Sequence, residues 1–258
     1  MSGIALLFRF MTRLPLGFDP EFDSDKLGKS MKFFPIVGIV IGLIIFLFFL
    51  LFAKTVIYSP LVMVVLLLIV EVVLTGGLHL DGLADTFDGI FSYRSKQKML
   101  DIMKDSRLGT NGGLVLILYF FLKASLLYEL DVIAGLPSGV VLLLVPAMAR
   151  LNSVVNCASA PYARATGMGK TFVDHTNGAS VVIATIITTL FSAVVCYFFQ
   201  IPYLILLVIP ILMILGYIFA KLMTRKIGGI TGDTLGAVVE ISEVVAIFLI
   251  YCAFSYAL

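Results

Sequence analysis

The stretch Thr75 to Gly89, TGGLHLDGLADTFDG, decides how the chain is read. It follows an apolar run in a sequence that is 60% hydrophobic and only 13% charged, yet it gathers three aspartates and a histidine. On a helix from Leu80 to Gly89, Asp85 lies about 40° and Asp88 about 20° from Asp81 around the axis, because residues four and seven apart stack. Three carboxylates on one face repel unless a cation sits among them, and hard oxygen donors suit magnesium, manganese or calcium. Magnesium usually arrives with a substrate phosphate. Gly76, Gly77, Gly82 and Gly89 remove side-chain bulk, so a pyrophosphate or another backbone can come close. The same spacing also describes a solvated helix whose acids simply face water.

Outward from this stretch the chain is apolar. Apolar segments run over Phe33–Ala53, Ser59–Leu74, Gly112–Leu130, Val132–Ala149, Ser180–Phe199, Pro202–Ala220 and Leu235–Leu258. With a mean hydropathy of +1.11, they predict an all-α, polytopic integral membrane bundle of about seven transmembrane helices, forming one domain over residues 1–258. The second and fourth segments are slightly short of the roughly 20 residues a crossing needs. Lysines and arginines fall almost entirely in alternate connections, with Lys54 the exception in an outside loop, which predicts a cytoplasmic amino terminus. The segments around 75–111, 150–179 and 221–234 then form cytoplasmic loops that carry the active site. Met1–Leu14 is too short to span and predicts a surface-lying or packed terminal helix. Asp19–Asp25 reads as an acidic, solvated loop.

Composition excludes several classes. A net charge of +2, with no aromatic partners arranged for base stacking beside the basic residues, argues against nucleic acid as a partner. Cys157, Cys196 and Cys252 are too scattered for a disulfide framework or a zinc site. Gly38 and Gly42 are a weak pointer to a homo-oligomer and equally fit packing within one chain.

Three separated motifs carry a resemblance. TGGLHLDGLADTFDG, then LDIMKDSRLGTNGG at Leu100–Gly113, then GDTLGAVVEISE at Gly232–Glu243, resemble cobalamin synthase, the adenosylcobinamide-GDP ribazoletransferase family. RFMTRLP at Arg9–Pro15 and FFPIVGIVIG at Phe33–Gly42 extend the likeness toward the amino terminus. The resemblance implies magnesium-dependent joining of adenosylcobinamide-GDP to α-ribazole or its 5′-phosphate. GMP would be released, in the cytoplasmic membrane of a prokaryote, with the site facing the cytoplasm.

Roles follow by chemistry and resemblance together. Asp81, Asp85 and Asp88 are the candidate metal ligands, with Mg2+ as cofactor, and Asp81 and Asp85 are also assigned to catalysis. His79 is a candidate base on a ribose hydroxyl, although a continuous helix turns it about 160° from Asp81; packing or substrate contact are the other readings. Lys104 and Arg107 are expected on phosphate, with Asp105 and Asn111 beside them. The amides opening the helix after DSRLGTNGG are expected to receive an anion. Asp233, Glu240 and Glu243 are candidate substrate-binding residues or a second metal site, and the two glutamates lie inside the last span, where acids are functional by default. Lys123 at bilayer depth requires an acidic partner, and Glu71 is the nearest in sequence. CDP-alcohol phosphotransferases perform parallel chemistry, but their D-G-x-x-A-R order is missing. A cation-coupled transporter is the alternative from another class, although no inverted repeat supports it.

Overall fold

The computed structural model describes residues 3–17, 21–55, 59–132 and 135–255; Asp19 of the acidic loop, residues 133–134 of the expected fourth segment and residues 256–258 of the last lie outside them. Twelve α-helices are described: α1 (Gly3–Met11), α2 (Ser24–Lys29), α3 (Phe34–Thr55), α4 (Pro60–Thr75), α5 (Leu78–Ile90), α6 (Lys96–Ile102), α7 (Thr110–Val132), α8 (Ser138–Ser159), α9 (Met168–His175), α10 (Gly178–Phe198), α11 (Val208–Ile227) and α12 (Gly232–Ser255). Short 3-10 turns, Met31–Phe33 and Tyr203–Leu207, lead into α3 and α11. Among the described residues there is no strand, only an isolated bridge between Tyr162 and Ile230.

Six of these helices are long and apolar enough to cross a bilayer, and α4 with α5 adds a broken seventh, which bears out the polytopic all-α reading. Leucines, valines and phenylalanines face outward along α3, α4, α7, α10 and α11, as lipid-facing positions require. The interior is organised on α8, where every residue from Ser138 to Cys157 is buried. Gly38 and Gly42 of α3 lie against its backbone, and a Cβ added at Gly42 would stand 2.5 Å from the Leu143 carbonyl oxygen. These glycines therefore serve close packing inside one chain.

The boundaries of α8 correct the expected fourth segment, Val132–Ala149. The helix starts after Pro137, whose extended backbone caps it, and continues through Leu151, Val154 and Val155 to Ser159. Arg150, expected to open a cytoplasmic loop, is instead inside the helix and 1% exposed. The loop expected over 150–179 is thus a helix end, a short irregular stretch and α9.

At 16 residues, α4 is about 24 Å long, short of the roughly 30 Å hydrocarbon core. It ends at Gly76 and Gly77, with φ of 64° and 71°, a left-handed pair that side chains resist. The chain turns 89° there, so α5 runs across the end of the bundle instead of continuing the crossing. That turn places the acidic stretch where α12 begins.

Candidate active site

A cavity of about 330 Å3 opens between α5, the start of α12 and the connection after α8. Asp81 and His79 line it from α5, Asp233 from α12, Lys104 from the turn after α6, and Tyr162 and Arg164 from the connection. Phe10, Met11, Phe34 and Phe172 supply an apolar side.

Local chemistry builds each wall. Thr231 and Thr234 cap α12 reciprocally, since the Thr231 amide donates to Thr234 Oγ1 at 2.8 Å and the Thr234 amide to Thr231 Oγ1 at 3.2 Å. Asp233, in the first turn, is the acid a helix start favours. The connection is pinned beside it by two backbone bonds, Ile230 N to Pro161 O at 2.9 Å and Ala163 N to Ile230 O at 2.8 Å. Arg164 Nη2 then reaches Asp233 Oδ2 at 2.8 Å, while the Thr231 hydroxyl donates to the same oxygen at 3.2 Å. Gly82 lets α5 approach, because a Cβ there would lie 2.6 Å from the Asp233 carbonyl oxygen. The close approach expected of this glycine is to another backbone.

The acids outnumber their counter-charges. Asp85 is half-buried, and its carboxyl is pushed up to about 7, first by burial, then by the charges of Asp81, Asp233 and Asp88, against which Arg164 acts only weakly. Asp88 has a different partner: Gly109 N donates to its Oδ2 at 2.7 Å and Gly112 N to its Oδ1 at 2.8 Å. The anion expected at the start of α7 is therefore this side chain. Among the described residues no three carboxylates, histidines or cysteines are gathered as a ready metal cage. Magnesium does not need one, because it is commonly held by one or two carboxylates together with substrate phosphates. Hard oxygens that raise one another's proton affinity fit such a cation.

His79 is 4% exposed, and burial pushes its imidazole down to about 3, with Arg150 adding to the effect. It is neutral at pH 7, and so low a value makes a weak general base. Its Nδ1 has no hydrogen-bond partner among the described residues, and the ring meets Phe34 edge-on at 5.9 Å.

The other expected residues divide. Lys104 lines the cavity; Asp105, Arg107 and Asn111 do not. Arg107 Nη2 donates to Asp105 Oδ2 at 2.6 Å on the surface, and this partner holds the Asp105 carboxyl down at about 2. Glu240 and Glu243 also lie away from the cavity, in a buried charge cluster. There Lys123 Nζ meets Glu243 Oε2 at 2.5 Å and Glu71 Oε2 at 2.8 Å, and Arg150 Nη1 meets Glu243 Oε1 at 3.1 Å. The Tyr119 hydroxyl donates to Glu240 Oε2. Lys123 does take Glu71 as a partner, as its depth in the span demanded. Cluster and cavity meet through Phe34, whose ring lies 5.9 Å from the Arg150 guanidinium.

The sequence groups Arg164 only with the other basic residues of the inner loops and gives Tyr162 no role. Nothing local marks Arg164, since its partner is Asp233, 69 positions away. Arg150 was legible in principle, because the apolar pattern of Leu151, Val154 and Val155 carries the helix past it.

The family described as cobalamin-5-phosphate synthase matches residues 3–251. The chain belongs to the cobalamin-5-phosphate synthase family. Relatives named adenosylcobinamide-GDP ribazoletransferase include one from Fusobacterium nucleatum, 47% identical over 96% of each chain. Another, from Clostridium acetobutylicum, is 38% identical over 96% of this chain and 95% of its own. A third, from Clostridioides difficile, is 37% identical over 97% of both. No solved structure matches. Family membership makes this synthase a transferase of cobalamin biosynthesis built as a helical membrane bundle.

Proposed function

We propose that the cavity between α5 and α12 joins adenosylcobinamide-GDP to α-ribazole or its 5′-phosphate and releases GMP, with Mg2+ as cofactor and the site facing the cytoplasm. The observation that carries this reading is one cavity lined by Asp81 and Asp233, with Asp85 close by and Lys104 and Arg164 facing it, in a chain of this family. At about 330 Å3 the cavity takes the diphosphate and its neighbouring groups, while the bulk of a corrinoid stays outside it.

The atoms balance simply. A ribose hydroxyl of the acceptor forms a bond to the phosphorus that carries cobinamide, the bond from that phosphorus to the bridging oxygen breaks, and the hydroxyl proton passes to the departing GMP phosphate. GMP leaves with that oxygen. A divalent cation held by Asp81 and Asp85, with Asp88 and Asp233 nearby, would neutralise the charge that develops on the leaving phosphate. Arg164 and Lys104 bind the phosphate oxygens, Arg164 by giving up its bond to Asp233. His79 stays neutral and offers its unpaired Nδ1 as a hydrogen-bonding contact to substrate. Phe10, Phe34 and Phe172 keep water from the apolar side. Basic residues at this end of the bundle, including Lys96, Lys98 and Arg225, support the cytoplasmic orientation.

The test uses purified protein in liposomes with adenosylcobinamide-GDP, each acceptor and magnesium, with GMP and the completed corrinoid quantified. Equal amounts of both products, abolished by a chelator, are expected; verified substrates giving no GMP with either acceptor overturn the reading. Arg164→Ala is expected to raise KM for the GDP ester more than it lowers kcat.

A further inference from the structure

A second polar cleft lies apart from the active-site cavity, where the 3-10 turn before α3 packs beside the start of α10. Its volume is about 430 Å3, and Lys29, Lys32, His175, Asn177 and Ser180 line it, with Ala179 and Ile183 as its apolar floor. Both helices start their crossings here, at the end of the bundle that holds the active site. The cleft therefore sits at the height of lipid headgroups.

Its charges are unbalanced toward the positive. Among the described residues, Lys29 has no ion pair, and Lys32 has only a contact with the Phe33 ring at 5.3 Å. The acids around it face other residues than the two lysines: Asp174 Oδ2, which also faces the cleft, accepts from Lys170 at 2.6 Å, and Asp25 lies 3.6 Å from Nε2 of His175, a lining residue itself. The start of α10 is already closed by its own capping box between Asn177 and Ser180, so the cleft does not depend on free helix amides. Below it, Val182, Ile186, Leu190 and Val194 form an exposed stripe at intervals of four along α10, which leads from the cleft into the hydrocarbon.

Two lysines without counter-charge above an apolar track match an anionic phosphate group attached to acyl chains. A soluble phosphate would use the lysines and leave the track empty. We infer that the cleft between α3 and α10 binds the headgroup of an anionic phospholipid, with its chains lying along the α10 stripe. The lipid would hold the two helix starts together beside the loops of the active site.

The experiment is native mass spectrometry of the full chain in detergent, titrated with phosphatidylglycerol or phosphatidylcholine. The wild type is expected to retain phosphatidylglycerol preferentially. Lys29→Gln with Lys32→Gln is expected to weaken retention by roughly fivefold per lysine. Lys29→Arg with Lys32→Arg keeps the charges and is expected to retain the lipid, which separates lost charge from lost folding. Lys98→Gln with Lys226→Gln removes as much charge from exposed positions at the same end and is expected to leave retention near the wild type. Equal weakening by the two glutamine pairs would mean general surface attraction and overturn the proposal. Displacement of the lipid by inorganic phosphate at comparable concentration would overturn the choice of lipid over free phosphate.

Discussion

The molecule holds two groups of carboxylates and treats them in opposite ways. Glu71, Glu240 and Glu243, inside the bundle, are matched by Lys123 and Arg150 and by the Tyr119 hydroxyl. Asp81, Asp85 and Asp233, at its end, have Arg164 as the cation bonded among them, and Asp85 is raised to about 7 by the crowding. Acids that must be buried for good are neutralised by the protein, because an unpaired charge at bilayer depth is costly. Acids left short of counter-charge near water are available to a ligand, and the protein tolerates their repulsion for that purpose. The last helix carries members of both groups, Asp233 at its start and the two glutamates two and three turns further on.

The largest effect is expected inside. Lys123→Met removes the cation shared by Glu71 and Glu243 and should destabilise the protein by about 3–5 kcal/mol, read as thermal unfolding in detergent. An unchanged midpoint would break the comparison, since the inner acids would then need no neutralising. Next, Asp81→Asn should lower kcat by roughly 10²- to 10³-fold while leaving the thermal midpoint unchanged or higher, because it relieves repulsion. A fall in stability of the size expected for Lys123→Met would place Asp81 with the structural acids instead.

Asp88 sharpens the boundary between the two groups. Asp88→Ala leaves the Gly109 and Gly112 amides unsatisfied and should cost about 1 kcal/mol of stability. If it abolishes the response to magnesium without that loss, Asp88 belongs with the ligand-binding acids. Asp85 adds a pH dependence, reduced by the solvent that reaches this half-exposed group. The folded Asp85 carboxyl lies near 7 against an ordinary 3.8, so the native state keeps a proton that the unfolded chain has released. In chelator, the stabilising contribution of this group is full below about pH 4 and declines as pH rises toward 7. Asp85→Asn should flatten that part of the stability profile, and an identical slope in both proteins would remove Asp85 from the crowded set.

Much of this was readable before any coordinates. The apolar runs announced the membrane bundle, the spacing of Asp81, Asp85 and Asp88 announced a helix with one acidic face, and Lys123 announced an acidic partner. What the periodicity did not show was which acids stay available. Asp88 shares the face of Asp81 in sequence, yet its carboxylate caps α7, because α6 folds back and brings Gly109 and Gly112 against it. Glu240 and Glu243 share a motif with Asp233 but point into a different environment, since α12 leaves the cavity within two turns. Loop charge alone does not locate Arg150, because an arginine buried near the inner end of a span carries the same sign as one in an inside loop.

By itself, then, the sequence determined the character and approximate number of the crossing helices and the chemistry of the acidic stretch, since these depend on local composition and on a period of 3.6 residues. Only the tertiary structure decided the pairings, because Arg164 with Asp233, Lys123 with Glu243 and Asp88 with the α7 amides join residues far apart in the chain. Gly76 and Gly77 turn α5 across the bundle, Gly82 lets it close on the backbone of Asp233, and Gly109 and Gly112 leave room for the Asp88 carboxylate, approaches that no local pattern records.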